Sequence, residues 1–254
     1  SSQRGQQSGC LGRMAALGAG YDVRSSAVTI DRFCGSGISA VSLAAGSIAS
    51  GMEELVIAGG TEQMSNYGVE GNGQATFMDN GNLELRSRHP QPHQGICADA
   101  IASLEGIDRR ALDELAVVSQ ARAAEAIEKG YFARSVIPVH HVDGRLALAK
   151  DEFPRPGTTL EGLSKLKPAF VEMADAPLDA NGTTNRQLLQ HKYPNLTLNH
   201  VHHAGNSSGV VDGAVAILLS SPDYAKRHGW KPRARIRAMA NVGDCPTLML
   251  NAPV

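Results

Sequence analysis

The sequence predicts an α/β protein, and three adjacent runs carry that prediction. AVTIDRF (27–33) is short, rich in β-branched residues and bounded by Ser-Ser and Cys-Gly-Ser-Gly, which marks a strand. GSGISAVSLAAGSIASG follows at once. In it Ile38, Val41, Ala45 and Ile48 share one helical face, and Gly51 stands where a C-terminal cap belongs. ELVIAGG (54–60) then has the composition of a buried strand closed by a glycine turn. Strand, helix and strand in this order make a parallel crossover unit.

The other elements follow in chain order. GCLGRMAALGAG has helical apolar spacing with glycines to end it. From Asn66 to about Pro92 the chain turns to Gly, Asn, Gln and Pro with little periodicity, a long excursion leaving the sheet. Helices are predicted at 96–104 and 109–129, the second entered at Asp108 and closed by Gly130. A strand SVIPVHHV (135–142) and a turn at Asp143-Gly144 come next. Beyond DEFPRPGTT lies a loop-and-helix stretch to about Asn195. Two strands then follow, AVAILLSS (214–221) and RARIRAMANV (233–242), joined by a helix around Pro222–His228. The chain opens without Met and stops at NAPV, so it reads as part of a longer protein.

Bulk properties narrow the function classes. The 254 residues are 42% hydrophobic and 19% charged, with a formal net charge of -1 and no long charged block. Neither a nucleic-acid surface nor an anionic membrane is implied as a partner. No run approaches bilayer length and the N-terminal residues lack a signal-peptide core, so a soluble, cytoplasmic protein is expected, or an organelle-matrix one in a eukaryote. Four cysteines (Cys10, Cys34, Cys97, Cys245) lack the density and pairing of a disulfide framework or a zinc knuckle. HVHH (200–203) offers two histidines on one face of a strand, but no third ligand has recognisable spacing and no metal is expected.

Cys34 carries the chemistry. It lies where a strand turns into a helix, followed by Gly35-Ser36-Gly37. A thiolate there faces the unpaired N–H groups and the positive helix end, which favour its ionised form, and the same groups suit the oxyanion of a thioester under attack. Position alone weighs equally for a small buried hydrophobe.

The longer string resolves the choice. DRFCGSGISAVSLAAGSIASGMEELVIAGGTEQMSNY resembles the nucleophile segment of thiolases: Cys-Gly-Ser-Gly, an Ala-rich helix, a Gly, a strand, then Ala-Gly-Gly-x-Glu-x-Met-Ser. Here those residues are Cys34 to Gly37, Gly51, Ala58 to Gly60, Glu62, Met64 and Ser65. HQGICADAIASLEGIDRRALDELAVVSQARAAEAIEKGYF resembles the family's loop domain, DEFPRPGTTLEGLSKLKPAF its exit, and HAGNSSGVVDGAVAILLSS the return to the sheet.

The resemblance implies a layered, thiolase-like α/β/α sheet domain, incomplete here, with an inserted loop domain. Residues 1–65 and 205–230 would form the N-terminal core, 66–204 the insertion covering coenzyme A, and 231–254 the start of the C-terminal half. It implies acyl exchange between 3-ketoacyl-CoA and acetyl-CoA through a thioester on Cys34, with the coenzyme A thioester as substrate, no permanently bound cofactor, and a homodimer or homotetramer. It carries coenzyme A contacts to His93, Arg155, Phe170, Ala204 and Ser208. Each has a plainer reading beside it: a solvated loop Arg155, a core Phe170, a self-satisfied turn at Ser208. Cys97 is expected beside the first loop-domain helix. Cys245, in GDCPTLM, stands where the family more usually has Asp and receives no catalytic role.

The family's later motifs Asn-Glu-Ala-Phe and Gly-His-Pro do not occur in this sequence, and no Cys-x-Gly follows the Cys34 segment. Two other functions compete: a ketoacyl-synthase-like condensing enzyme, and a non-catalytic coenzyme-A-binding or assembly module. The Ala-Gly-Gly-x-Glu-x-Met-Ser string and the large insertion argue against the first.

Overall fold

The computed structural model describes residues 7–66, 78–79 and 81–253. It is mixed α/β and divides into two compact units, Ser1–Gln74 with Val210–Asn241, and Ala75–Gly209 with Val242–Val254.

The first unit is built on helix α1 (Leu11–Gly18), a 3-10 turn (Phe33–Gly35), helix α2 (Ser36–Ala49) and strand β1 (Leu55–Gln63). A later strand at Asp212–Ser220 pairs with β1 antiparallel, from Leu55 opposite Ser220 to Gln63 opposite Asp212. One side of α2 packs on this ribbon. Ala44, Ala58 and Leu219 are buried together, with Val41, Ala45, Ile48 and Val56 against them. Alanines let helix and ribbon approach closely, and Gly59 does the same between the strands, since a Cβ there would stand 2.5 Å from the Val215 carbonyl oxygen. Gly51 ends α2 with φ 78°, the left-handed conformation expected of it.

Several sequence-based expectations fail in this unit. Ile38 does not join the packed face and is 75% exposed. Residues 27–33 pair with no strand among the described residues, so the parallel crossover does not form there. Their polar groups engage α1 instead: the Gly12 N–H donates to Thr29 Oγ1 at 3.0 Å and the Cys10 thiol to the Ala27 carbonyl at 3.5 Å. Residues 233–242 likewise form no strand. In both runs β propensity is present and the ladder partner is not, and a strand exists only through its neighbours.

The second unit is mostly helical: α3 (Leu83–Arg88), α4 (Gln94–Glu105), α5 (Arg109–Glu128), α6 (Leu160–Ser164), α7 (Val171–Asp175) and α8 (Asn185–Gln190). The excursion predicted from Asn66 falls partly on residues 67–77, outside the described residues, and its later part holds α3, which sequence periodicity missed. Asn82 caps α3 by accepting from the Leu85 N–H at 2.9 Å. Arg86 ties it down through Asp79 at 2.7 Å, with both side chains nearly buried. Asp108 caps α5 as predicted, accepting from the Ala111 N–H at 2.8 Å.

The predicted strand 135–142 shrinks to β2 (Val139–His140), paired with β3 (Leu146–Leu148) around a turn in which Gly144 has φ 84°. Ile96, Ala100, Ala174, Leu189, Leu198 and Leu248 form the core. Each large side chain among them contributes about 1.5–3 kcal/mol by leaving water. In chain order, the strand Asp212–Ser220 is β4 and the helix Pro222–Arg227 is α9, both in the first unit. Among the described residues no helix is long and apolar enough to cross a membrane.

Candidate active site

Cys34 sits in the centre of the 3-10 turn that leads into α2, and it is exposed. Local chemistry shapes this turn. Phe33, immediately before Cys34, has φ 49°, a left-handed conformation rare for a bulky residue and costing about 1–3 kcal/mol. Three neighbours hold it there. The Phe33 N–H donates to Asp31 Oδ1 at 2.9 Å, the Ser36 hydroxyl donates to the Phe33 carbonyl at 2.7 Å, and the same hydroxyl oxygen accepts from the Arg32 N–H at 2.8 Å. Arg32 is anchored in turn on Ser39 at 3.1 Å and Asn241 at 2.8 Å. Among the described residues no side chain caps α2, and the 3-10 turn takes up the N–H groups of Gly35 and Ser36 on the carbonyls of Arg32 and Phe33.

The other predicted site residues lie in the second unit, where the structure joins them in a chain of contacts. His93 caps α4, its Nδ1 accepting from the Gly95 N–H at 3.1 Å. Its ring is 5.8 Å from that of Phe170. The imidazole is open at the surface, yet the protein packed behind it desolvates the ring and lowers its pKa. Phe170 is half-buried against the core. The Ala169 N–H before it donates to the His202 carbonyl at 2.9 Å, which sets this segment beside the return loop bearing Ala204 and Ser208, both exposed.

Phe153 links that loop to Arg155. The Arg155 guanidinium lies 6.0 Å from the centre of the Phe153 ring, and the ring presses on Gly209, where a Cβ would be only 2.5 Å away. The Arg155 N–H is held by Gln120 at 2.7 Å, leaving its side chain exposed.

Two buried carboxylates, which sequence reading passed over, shape the return loop. Asp99 on α4 is fully buried. It accepts from the backbone N–H groups of Val201 and His202 at 3.1 and 3.2 Å, and from the Nδ1 of both His200 and His202 at 2.7 Å. A carboxylate only accepts, so both rings present Nδ1–H to it. Burial alone would raise the Asp99 carboxyl, but these four donors outweigh it and hold it below the usual carboxylate range. Asp113 on α5 accepts from His203 Nε2 at 2.8 Å and from the Asn206 amide at 3.0 Å. His203 Nδ1 accepts from the Gly205 N–H at 3.0 Å, which fixes the proton on Nε2.

The HVHH histidines therefore point to two different carboxylates. Among the described residues no group of three metal-ligating side chains converges. An aspartate amid Ile96, Cys97 and Ala100 was the available signal, because a carboxylate on an apolar helix face requires partners.

Residues 2–176 match the family model described as thiolase, N-terminal domain. The chain belongs to the thiolase family. It is 36% identical over 269 residues to the beta-ketoadipyl-CoA thiolase of Pseudomonas putida, covering all of this chain and 61% of that thiolase. It is 37% identical over 254 residues to the acetyl-CoA acetyltransferase of Cupriavidus necator, covering 95% of this chain and 58% of that protein. Among solved thiolases, the dimeric peroxisomal enzyme of Saccharomyces cerevisiae superposes with a TM-score of 0.64 at 28% identity, over 85% of this chain and 49% of its own. The chain thus spans about three-fifths of the length of these curated thiolases. The thiolase fold is present in part.

Proposed function

We propose that this chain carries the nucleophile and the coenzyme-A-binding part of a thiolase-type acyltransferase. Cys34 is the nucleophile, and His93, Arg155, Phe170, Ala204 and Ser208 are the coenzyme A contacts. The observation that carries the reading is the strained turn that presents an exposed Cys34 at the start of a 14-residue helix.

The chemistry follows from that placement. The sulfur of Cys34 attacks the thioester carbonyl, a new C–S bond forms, and the bond from that carbon to the coenzyme A sulfur breaks, leaving an acyl-cysteine and free coenzyme A. The positive end of α2 beside Cys34 is suited to the negative charge that develops during attack. Arg155, exposed and stacked on Phe153, suits a phosphate or an adenine face, and Ser208 suits pantetheine amides.

The parent reaction in this reading exchanges acyl groups between 3-ketoacyl-CoA and acetyl-CoA, in a homodimer. The dimeric state of the similar yeast thiolase supports the oligomer. Residues 1–65 and 205–230 serve as the nucleophile-bearing core and 66–204 as the cover over coenzyme A.

Intact-mass measurement after incubation with acetyl-CoA tests this. A single acetyl adduct that is absent from Cys34→Ala is the expected result. Coenzyme A binding with no adduct would overturn the acyltransferase reading and leave a binding module.

A further inference from the structure

A second cysteine, away from the Cys34 turn, has a charged neighbour at its sulfur. Cys245, in the second unit, is partly exposed and lies within 3.2 Å of the Lys192 ammonium and 3.7 Å of the Tyr193 hydroxyl, groups about fifty residues distant in sequence. The N–H groups of Leu248 and Met249 donate to the Cys245 carbonyl at 3.2 and 3.0 Å, which closes a turn at this residue. A cation and a phenol hydroxyl thus meet at one sulfur, an arrangement suited to holding it as an anion. Cys97 provides the contrast within the same unit. Its thiol is fully buried and donates towards the carbonyls of Pro92 and Thr247, and desolvation pushes its pKa up to about 12.

We propose that Cys245, with Lys192 and Tyr193, is a second reactive thiolate in this chain, a modification site for small electrophiles of the hydroperoxide class. With hydrogen peroxide, the Cys245 sulfur attacks one peroxide oxygen, an S–O bond forms and the O–O bond breaks. The departing hydroxide takes a proton from the Lys192 ammonium and leaves as water. The sulfur is oxidised by two electrons to a sulfenic acid, which keeps the second peroxide proton, and the peroxide is reduced by two.

Titration of the group agrees with this geometry. Desolvation is the largest single influence and opposes ionisation. The Leu248 N–H, Lys192, Tyr193 and the Thr247 N–H together outweigh it and bring the Cys245 thiol down to about 7. Tyr193 moves the other way, up to about 12, through desolvation and its contact with this sulfur, so its hydroxyl remains a donor.

The magnitudes make a distinctive test. Relative to an ordinary thiol, the thiolate population at pH 7 rises about 50-fold, while intrinsic nucleophilicity falls about 10-fold with the lowered basicity. Cys245 is therefore expected to react about fivefold faster than N-acetylcysteine at pH 7. It is expected to react more slowly than that reference above pH 10, where both are ionised.

The experiment uses the chain with Cys34→Ala, so that the proposed catalytic thiol does not compete. Hydrogen peroxide is added with dimedone as a trap for the sulfenic acid, and adducts are mapped by peptide mass spectrometry across pH. A Cys245 adduct with that crossover is expected, and Lys192→Met should remove most of the advantage at pH 7 while leaving the rate at pH 10 little changed. Cys97, buried in the native unit, should stay unlabelled throughout. If Lys192→Met exposes Cys97, Lys192→Gln replaces it, and the comparison with N-acetylcysteine decides by itself. Cys245 reacting no faster than N-acetylcysteine at pH 7, or equally fast in a folded charge-removing variant, would overturn the proposal.

Discussion

At the scale of single residues, two glycines mark where side chains need the space. Gly95 lies under Phe170, whose ring atoms would stand 2.4 Å from a Cβ there, and Gly209 meets Phe153 in the same way at 2.5 Å. Gly95→Ala must displace the Phe170 ring from its place beside His93. A loss of about 1–3 kcal/mol in urea unfolding is expected, largely restored when Phe170→Leu is added, because overpacking rather than backbone entropy is the cause. If the double variant is no more stable than Gly95→Ala, the ring contact is not what the glycine serves. The pattern Cys-Gly-Ser-Gly made the Cys34 turn legible, since a strand-to-helix corner with glycines is a local property. The left-handed Phe33 was not legible, because no residue type announces that a phenylalanine will be forced into that conformation by Asp31 and Ser36.

At the scale of elements, α4 and α5 act as rails for the segment 199–206. Ser103 and Asp99 on α4 receive the N–H groups of Asn199, Val201 and His202, and Asp113 on α5 receives His203 and Asn206. Arg109 completes the rail by pairing with Asp113 at 3.1 Å and donating to the carbonyls of Leu163 and Leu166 at the end of α6. Asp113→Ala would leave His203, which is 1% exposed, without its acceptor, and the Asn206 amide with the Val201 carbonyl alone. A destabilisation of about 3–5 kcal/mol is expected for such a buried, charged partner. Differential scanning calorimetry of the variant checks it, and a shift no larger than that of an exposed substitution such as Glu128→Ala would show the network to be dispensable. The helices themselves were readable from periodicity and from the Asp108 cap. Their cargo was not, because Asp113 and His203 are 90 residues apart and share no pattern.

At the scale of the whole molecule, pH is the informative variable. Asp79 is held below the usual carboxylate range by the Arg86 guanidinium, which outweighs its desolvation, and Asp99 by its four donors. A carboxylate depressed in the folded chain binds fewer protons than in the unfolded chain. Its stabilisation is therefore complete above the unfolded pKa of about 3.9 and is lost as pH falls from there through the folded value. Urea midpoints should be flat above about pH 5 with respect to these groups and fall below pH 4. The stability gap between the parent chain and Asp79→Asn should be widest near neutrality and close in acid. A gap that grows on acidification would mean that Asp79 is not stabilised as a carboxylate in the folded chain.

Local order was enough to specify much of this protein: the α2 and α5 helices with their caps, the β1 and β4 segments, the glycine turns, and a string around Cys34 specific enough to place the chain in its family. These depend on periodicity, capping and turn chemistry, which act over a few residues. Packing alone decided which runs with β propensity acquired partners, since a strand at 27–33 or 233–242 requires a ladder that no local sequence supplies. Packing also decided which polar groups met. Asp99 with His200 and His202, Asp113 with His203, and Lys192 with Cys245 become neighbours only when distant segments meet, and the free energy of a charge is set by the neighbours it meets there.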